Sequence, residues 1–146
     1  MKKVSCLLFI LIMAGVESQA YNQGNAIKKA VERESKRHGI PERIIYNLIQ
    51  AESSGRAHVK GNPIIIKMKG KRIRTRAYGL MQIIPEFHYK GSREDLLNPD
   101  INIMIGCKVL KGCLKRARGN YAKALSMYNG QVLNKDYKYI NKILGG

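Results

Sequence analysis

Glu52 stands where an apolar helical stripe runs out. Ile44, Ile45, Leu48 and Ile49 recur at helical spacing, Glu52 follows Leu48 by four residues, and Ser53-Ser54-Gly55 stops the run. A carboxyl so placed is a candidate general acid. Desolvation beside the stripe favours its neutral form, and the negative end of the helix dipole acts in the same direction. The chain's 27 Lys and Arg, against 10 Asp and Glu, pull its pKa the other way. Read alone, Glu52 is a surface glutamate at a helix end. Further on, Tyr78-Gly79-Leu80-Met81-Gln82-Ile83 supplies Gln82, whose amide is donor and acceptor in one plane. Gly79 in the same stretch lets backbone approach a ligand closely, while Leu80, Met81, Ile83 and Ile84 read as ordinary core. Ser126-Met127-Tyr128-Asn129-Gly130 adds a flat aromatic face with a hydroxyl and a second amide. Asn129-Gly130 reads equally as a helix C-cap. Together these side chains suit protonation of a poor oxygen leaving group, with amides and an aromatic face to hold a sugar.

The elements that must position them are mostly helices. Asn25 can cap a helix to about Arg37, with Ala26, Ile27, Ala30, Val31 and Glu34 as a mixed stripe and Gly39 as its stop. Pro41 suits the first turn of the next helix, which carries Glu52. Asn98-Pro99-Asp100 is a strong helix start: a capping side chain, a proline, then an acid in the first turn. Ile101, Ile105, Val109 and Leu110 continue it towards Ala117. Asn120 can cap a further helix through Ala124, Leu125 and Tyr128, and residues 137 to 144 read as the last one.

Residues 64 to 76 break this periodicity. Ile64, Ile66 and Met68 alternate with Ile65, Lys67 and Lys69, and Lys69-Gly70 suits a two-residue turn that sets Ile66 opposite Ile73. The expectation is a β-hairpin with a dense row of cations: Lys67, Lys69, Lys71, Arg72, Arg74 and Arg76.

A chain of 146 residues suffices for one domain with a real core. Lys2 and Lys3, an apolar run from Val4 to Val16 and Ser18-Gln19-Ala20 have the pattern of a signal peptide over residues 1 to 20, cleaved after Ala20. A retained anchor is the alternative, although the run is short of the ~20 residues of a membrane span. Cys6 has no Leu-x-Gly before it, which argues against a lipoprotein. On one continuous helix Cys107 and Cys113 stand about 9 Å apart, beyond the reach of a disulfide. A bridge needs the helix to break at Gly106 or Gly112, and otherwise both are small buried side chains. The formal charge of +17 favours an anionic partner. His38, His58 and His88 share no ligand-like spacing, so no metal is expected.

Taken in order, Ala51-Glu52-Ser53-Ser54-Gly55, Tyr78-Gly79-Leu80-Met81-Gln82-Ile83 and Ser126-Met127-Tyr128-Asn129-Gly130 resemble the soluble lytic transglycosylase family, over roughly residues 36 to 143. The resemblance implies a mainly α, lysozyme-like helical domain at residues 21 to 146 that cleaves peptidoglycan without a cofactor. It makes Glu52 the catalytic acid and places Ser53, Gly79, Gln82, Ile84, Tyr128 and Asn129 at the substrate. Tyr139, in Tyr139-Ile140-Asn141-Lys142-Ile143, matches a late tyrosine that the family sets near the acid. The basic segment at 64 to 76 departs from the family, which often has a shorter connection there. The implied mechanism breaks the bond between N-acetylmuramic acid and N-acetylglucosamine and leaves a 1,6-anhydro end. The implied setting is an exported monomer in the periplasm or outside the cell, on glycan strands and anionic envelope surfaces. Short members of the family often serve a secretion or conjugation machine.

Two other readings use the same residues. A hydrolytic lysozyme would need a second acid, and Glu86, just after Pro85, is the candidate among Glu86, Glu94, Asp95 and Asp100. A non-catalytic binder of anionic wall polymer would use the cations of residues 67 to 76. Nucleic acid is not expected, since the chain has an export pattern and no known basic motif.

Overall fold

In a computed structural model of the chain, residues 5–130 and 137–145 are described, the side chains from Asn22 onward. Lys2 and Lys3, the charged start of the expected leader, lie outside the described residues. Helix α1 spans Ser5–His38, so the helix expected from Asn25 starts much earlier. No proline stands before Asn25, and Asn25 is one more helical residue instead of a cap. Gly39, with φ of 63°, stops α1 in the left-handed region, and Ile40 N–H closes back on Ser35 O at 3.2 Å. Helix α2, Glu42–Ser53, follows at once. Pro41 is its N-cap, one position earlier than expected, and its carbonyl accepts from Ile44 and Ile45 N–H.

Strands β1 (Ile64–Met68) and β2 (Lys71–Thr75) form the expected hairpin, with Ile66 paired to Ile73. Lys69 and Gly70 have φ of 49° and 75°, so both turn residues are left-handed as a type I′ turn requires. The ladder continues irregularly into the next loop. Gly61 N–H donates to Ala77 O and Gly79 N–H to Val59 O, at 2.9 and 2.8 Å. Tyr78 and Ile83 then exchange both backbone bonds at 2.9 Å and pinch off a tight loop.

Helix α3 is a single turn, Pro85–His88, followed by a 3-10 helix, Arg93–Leu97. Helix α4, Pro99–Arg116, is the central element and packs against α1, the 3-10 helix and α5 (Tyr121–Tyr128). Asn98 caps α4 through its side chain, which accepts from Asp100 and Ile101 N–H, and Asn120 caps α5 by accepting from Lys123 N–H. Leu110 of α4, Leu48 and Ile45 of α2 and Leu125 of α5 are fully buried, each contributing about 1.5–3 kcal/mol through lost apolar exposure. Cys107 and Cys113 are free and buried along an unbroken α4. Glu34, assigned to the mixed stripe of α1, is fully buried and paired with Arg33, Arg37 and His38.

The last helix, α6 (Tyr137–Leu144), lies on α2 and α5. It buries Ile140 and Ile143, and two side chains of α2 take up its terminal carbonyls. Asn47 donates to Ile143 O at 2.9 Å and Arg43 to Leu144 O at 3.1 Å, a cation at the negative end of a helix. Among the described residues no helix is long and apolar enough to cross a membrane.

Candidate active site

The apolar face of α2 carries Glu52 to the edge of the core, one turn beyond Leu48 and Ile49. Ser54 caps the helix in the left-handed conformation, φ 55°, and donates its N–H to Gln50 O at 3.1 Å. Glu52 is mostly buried. Burial raises its carboxyl above the ordinary glutamate range, and a hydrogen bond from Tyr139 opposes that rise. Tyr139 Oη donates to Glu52 Oε1 at 2.5 Å, from the face of α6 clamped onto α2 by Asn47 and Arg43. Oε2 has no hydrogen-bond partner among the described residues, so one carboxyl oxygen is braced and the other is available.

Tyr128 completes this group from the last turn of α5. Its hydroxyl donates to Met81 O at 2.7 Å. Burial raises its pKa well above the ordinary tyrosine value, with the charge of Glu52 adding to the effect. Tyr128 therefore ties three things together: helix α5, the 78–83 loop and the surroundings of the acid.

That loop is held from below by Asn102, which sequence reasoning passed over. Its amide is fully buried and fully used. Nδ2 donates to Tyr78 O at 2.9 Å and Leu96 O at 2.7 Å, and Oδ1 accepts from Met81 N–H at 2.7 Å. The available signal was an asparagine between Ile101 and Ile103 on a buried helix, where an amide must find partners.

The remaining residues named from sequence have other surroundings. Gly79 was expected to admit a ligand, but its open side faces the protein. A Cβ there would stand 2.2 Å from Leu96 O and 2.3 Å from Asn102 Nδ2, with φ at 75°. The glycine is needed for packing. Ser53 is buried, and its hydroxyl donates to Ile49 O at 3.0 Å. Gln82 has φ of 47°, rare for a residue with a side chain. Its Nε2 donates to Gly79 O at 2.9 Å and its Oε1 lies against Gly61, so the amide stitches the loop to the segment leaving α2. Ile84 is half-buried at the N-cap of α3, and Asn129, also half-buried, is the C-cap of α5 with Gly130 in the left-handed region beyond it.

Glu86 does not share the surroundings of Glu52. Burial works against its charge, but hydrogen bonds from Thr75 and its own backbone, and the Arg93 guanidinium, outweigh that and hold it below the ordinary glutamate range. Thr75 Oγ1 donates to Oε2 at 2.5 Å and Arg93 to Oε1 at 2.7 Å. Both oxygens are engaged, which leaves Glu86 poorly suited to activating a water.

The described residues thus gather a mostly buried acid, a tyrosine braced against it and a second tyrosine, all on helices, with an αL-containing loop beside them. A family model described as the transglycosylase SLT domain matches residues 29–141. The chain belongs to that family. The match extends from α1 into α6 and contains Glu52, the 78–83 loop, Tyr128 and Tyr139. Family membership accounts for the helical, lysozyme-like architecture with its small hairpin, and the family as a whole acts on glycosidic bonds of peptidoglycan.

Proposed function

We propose that the chain is a lytic transglycosylase in which Glu52 is both the acid and the base. The observation that carries this reading is the state of Glu52: raised by burial, braced on Oε1 by Tyr139 and open at Oε2. A protonated Glu52 donates its proton to the bridging oxygen as the bond from the muramic anomeric carbon to N-acetylglucosamine breaks. The resulting carboxylate, stabilised by Tyr139, takes the proton of the muramic 6-hydroxyl as that oxygen attacks the same carbon. Glu52 ends as it began, no water is consumed, and the product carries a 1,6-anhydro ring. Tyr128 and the 78–83 loop form the wall against which the sugar is held.

One acid suffices for this route, whereas hydrolysis would need Glu86 or another carboxylate to direct water. The engagement of Glu86 by Thr75 and Arg93 supports the first route over the second. Export belongs to the same reading and rests on Lys2, Lys3, the apolar run and Ser18-Gln19-Ala20. The test is Glu52→Gln, which keeps the side chain's shape and cannot donate the proton. Release of soluble fragments from purified peptidoglycan is expected to fall by at least about a hundredfold. Release at the parental rate would assign the chemistry elsewhere.

A further inference from the structure

A second feature borders the 78–83 loop at Tyr78. Between the base of the hairpin and the 3-10 helix is an open cleft of about 360 Å³, lined by Lys60, Arg74, Arg76, Arg93 and the Tyr78 ring. Such a volume accommodates a small ligand or a side branch of a larger one. Arg93 shares its charge with Glu86. Among the described residues no carboxylate lies within ion-pairing distance of Lys60, Arg74 or Arg76.

The cations are held in place by structure. Thr75 is buried between Arg74 and Arg76, and its bond to Glu86 fixes the end of β2 against the segment carrying Arg93. Lys60 stands over the Tyr78 ring, 5.9 Å from its centre, and its backbone bridges to Tyr78. Unpaired guanidinium groups brought together in this way repel one another and favour a planar anion that both forks can grip. The position narrows the choice of anion. Tyr78 lines this cleft, and three residues on Met81 O holds Tyr128 beside Glu52. The cleft and the surroundings of the acid thus share one loop, and a ligand bound along both would meet the cations and Glu52 together.

We propose that this cleft binds a carboxylate of the peptide stems borne by the glycan substrate, a reading that rests on the activity proposed above. The muramic residue carries its peptide stem on the same ring that reacts, so a stem carboxylate can reach across the shared loop. The hairpin then serves to select stem-bearing strands over bare ones.

The test separates binding from turnover. Arg74→Gln/Arg76→Gln is placed in the Glu52→Gln background, and its affinity is measured for soluble glycan strands with their stems and for the same strands after an amidase has removed them. At low salt the dissociation constant for stem-bearing strands is expected to rise about tenfold, consistent with losing charge-assisted contacts. Affinity for stem-free strands is expected to stay within about twofold, and the stem-dependent difference to shrink as salt screens it. Arg74→Lys/Arg76→Lys, which keeps the charge, is expected to recover much of the loss, and an unchanged melting temperature excludes misfolding. Equal affinity of parent and variant for stem-bearing strands overturns the proposal. So does equal weakening on both kinds of strand, which would put the cations on the glycan itself. Weakening seen only on vesicles containing anionic phospholipid would assign the cleft to phosphate and also overturn it. If the Glu52 protein releases nothing from either strand, the transglycosylase reading falls, while the binding comparison still decides the cleft.

Discussion

Tyr139 Oη lies 2.5 Å from Glu52 Oε1, joining two residues 87 positions apart in the chain. The contact depends on α6 sitting on α2, which Asn47 and Arg43 secure by capping the carbonyls of Ile143 and Leu144. Its effect on Glu52 has a definite sign. A donor to a carboxylate favours the charged form, so Tyr139 lowers a pKa that burial has raised.

Removing that donor therefore raises the pKa further. In a Tyr139→Phe variant the alkaline limb of kcat/KM, which marks deprotonation of the acid, is expected to move to higher pH. The maximal rate is expected to fall, since the carboxylate formed after proton transfer loses its support. A pH-rate profile on soluble glycan strands checks both, and a limb that stays in place or moves to lower pH contradicts the assignment.

The same raised pKa predicts a cost in stability. The folded protein holds the Glu52 proton more tightly than the unfolded chain, whose glutamates titrate near ~4.3. Above that value the folded state binds more protons than the unfolded, so stability falls as pH rises through the raised pKa. Glu52→Gln removes this cost. Its melting temperature is expected to exceed the parent's at pH 7, and the gap to close at pH 4. A variant less stable than the parent at pH 7 contradicts the burial of the acid.

Asn102 offers a test of how the loop is held. Asn102→Leu keeps the volume and removes the side-chain partner of Met81 N–H and Leu96 O, while Tyr78 O keeps its bond from Ile83 N–H. The expected loss is about 3 kcal/mol or more in denaturant unfolding, from buried polar groups left unsatisfied. Gly79→Ala is expected to fail to give folded protein, because its Cβ meets Leu96 O at 2.2 Å. Gly70→Ala, at the same φ of 75° but with open space around it, is expected to cost only about 1 kcal/mol. Equal effects at the two glycines would contradict the packing described here.

Much of this frame could be read from residue order. The spacing of Ile44, Ile45, Leu48 and Ile49 put Glu52 on a buried face, Lys69-Gly70 fixed the hairpin register, and Asn98-Pro99 and Asn120 marked helix starts. Each of these is a local signal, settled within a turn or two of chain. What stayed hidden depends on what lies opposite. Gly79 reads as glycine whether its open side faces a ligand or Leu96 O, and Gln82 reads as a free amide whether or not it folds back on its own loop. Thr75, Glu86 and Arg93 have no sequence spacing that announces their contact, and Asn102 looked like one polar residue on an apolar helix. The start of α1 was misplaced for a different reason: a capping residue is informative only where the helix actually begins.

The cysteines give a simple chemical check on α4. Burial, and then the nearby charge of Glu34, push the Cys107 thiol up to about 12, and Cys113 is buried one and a half turns on. At pH 8 the reactive thiolate of Cys107 is then about 10⁻⁴ of the population. Iodoacetamide is expected to leave both unmodified in the folded protein and to alkylate both in denaturant, as read by peptide mass. Prompt alkylation of either in the native state, or a disulfide between them, contradicts an intact, buried α4.

The central claim is that Glu52 alone moves both protons, with the muramic 6-hydroxyl in place of water. The mass of the fragments released from purified peptidoglycan tests it most directly. Fragments lighter by one water than the corresponding hydrolysis products, and resistant to borohydride reduction, are the expected result. Reducible fragments at the hydrolytic mass would contradict it and require a second group to activate water.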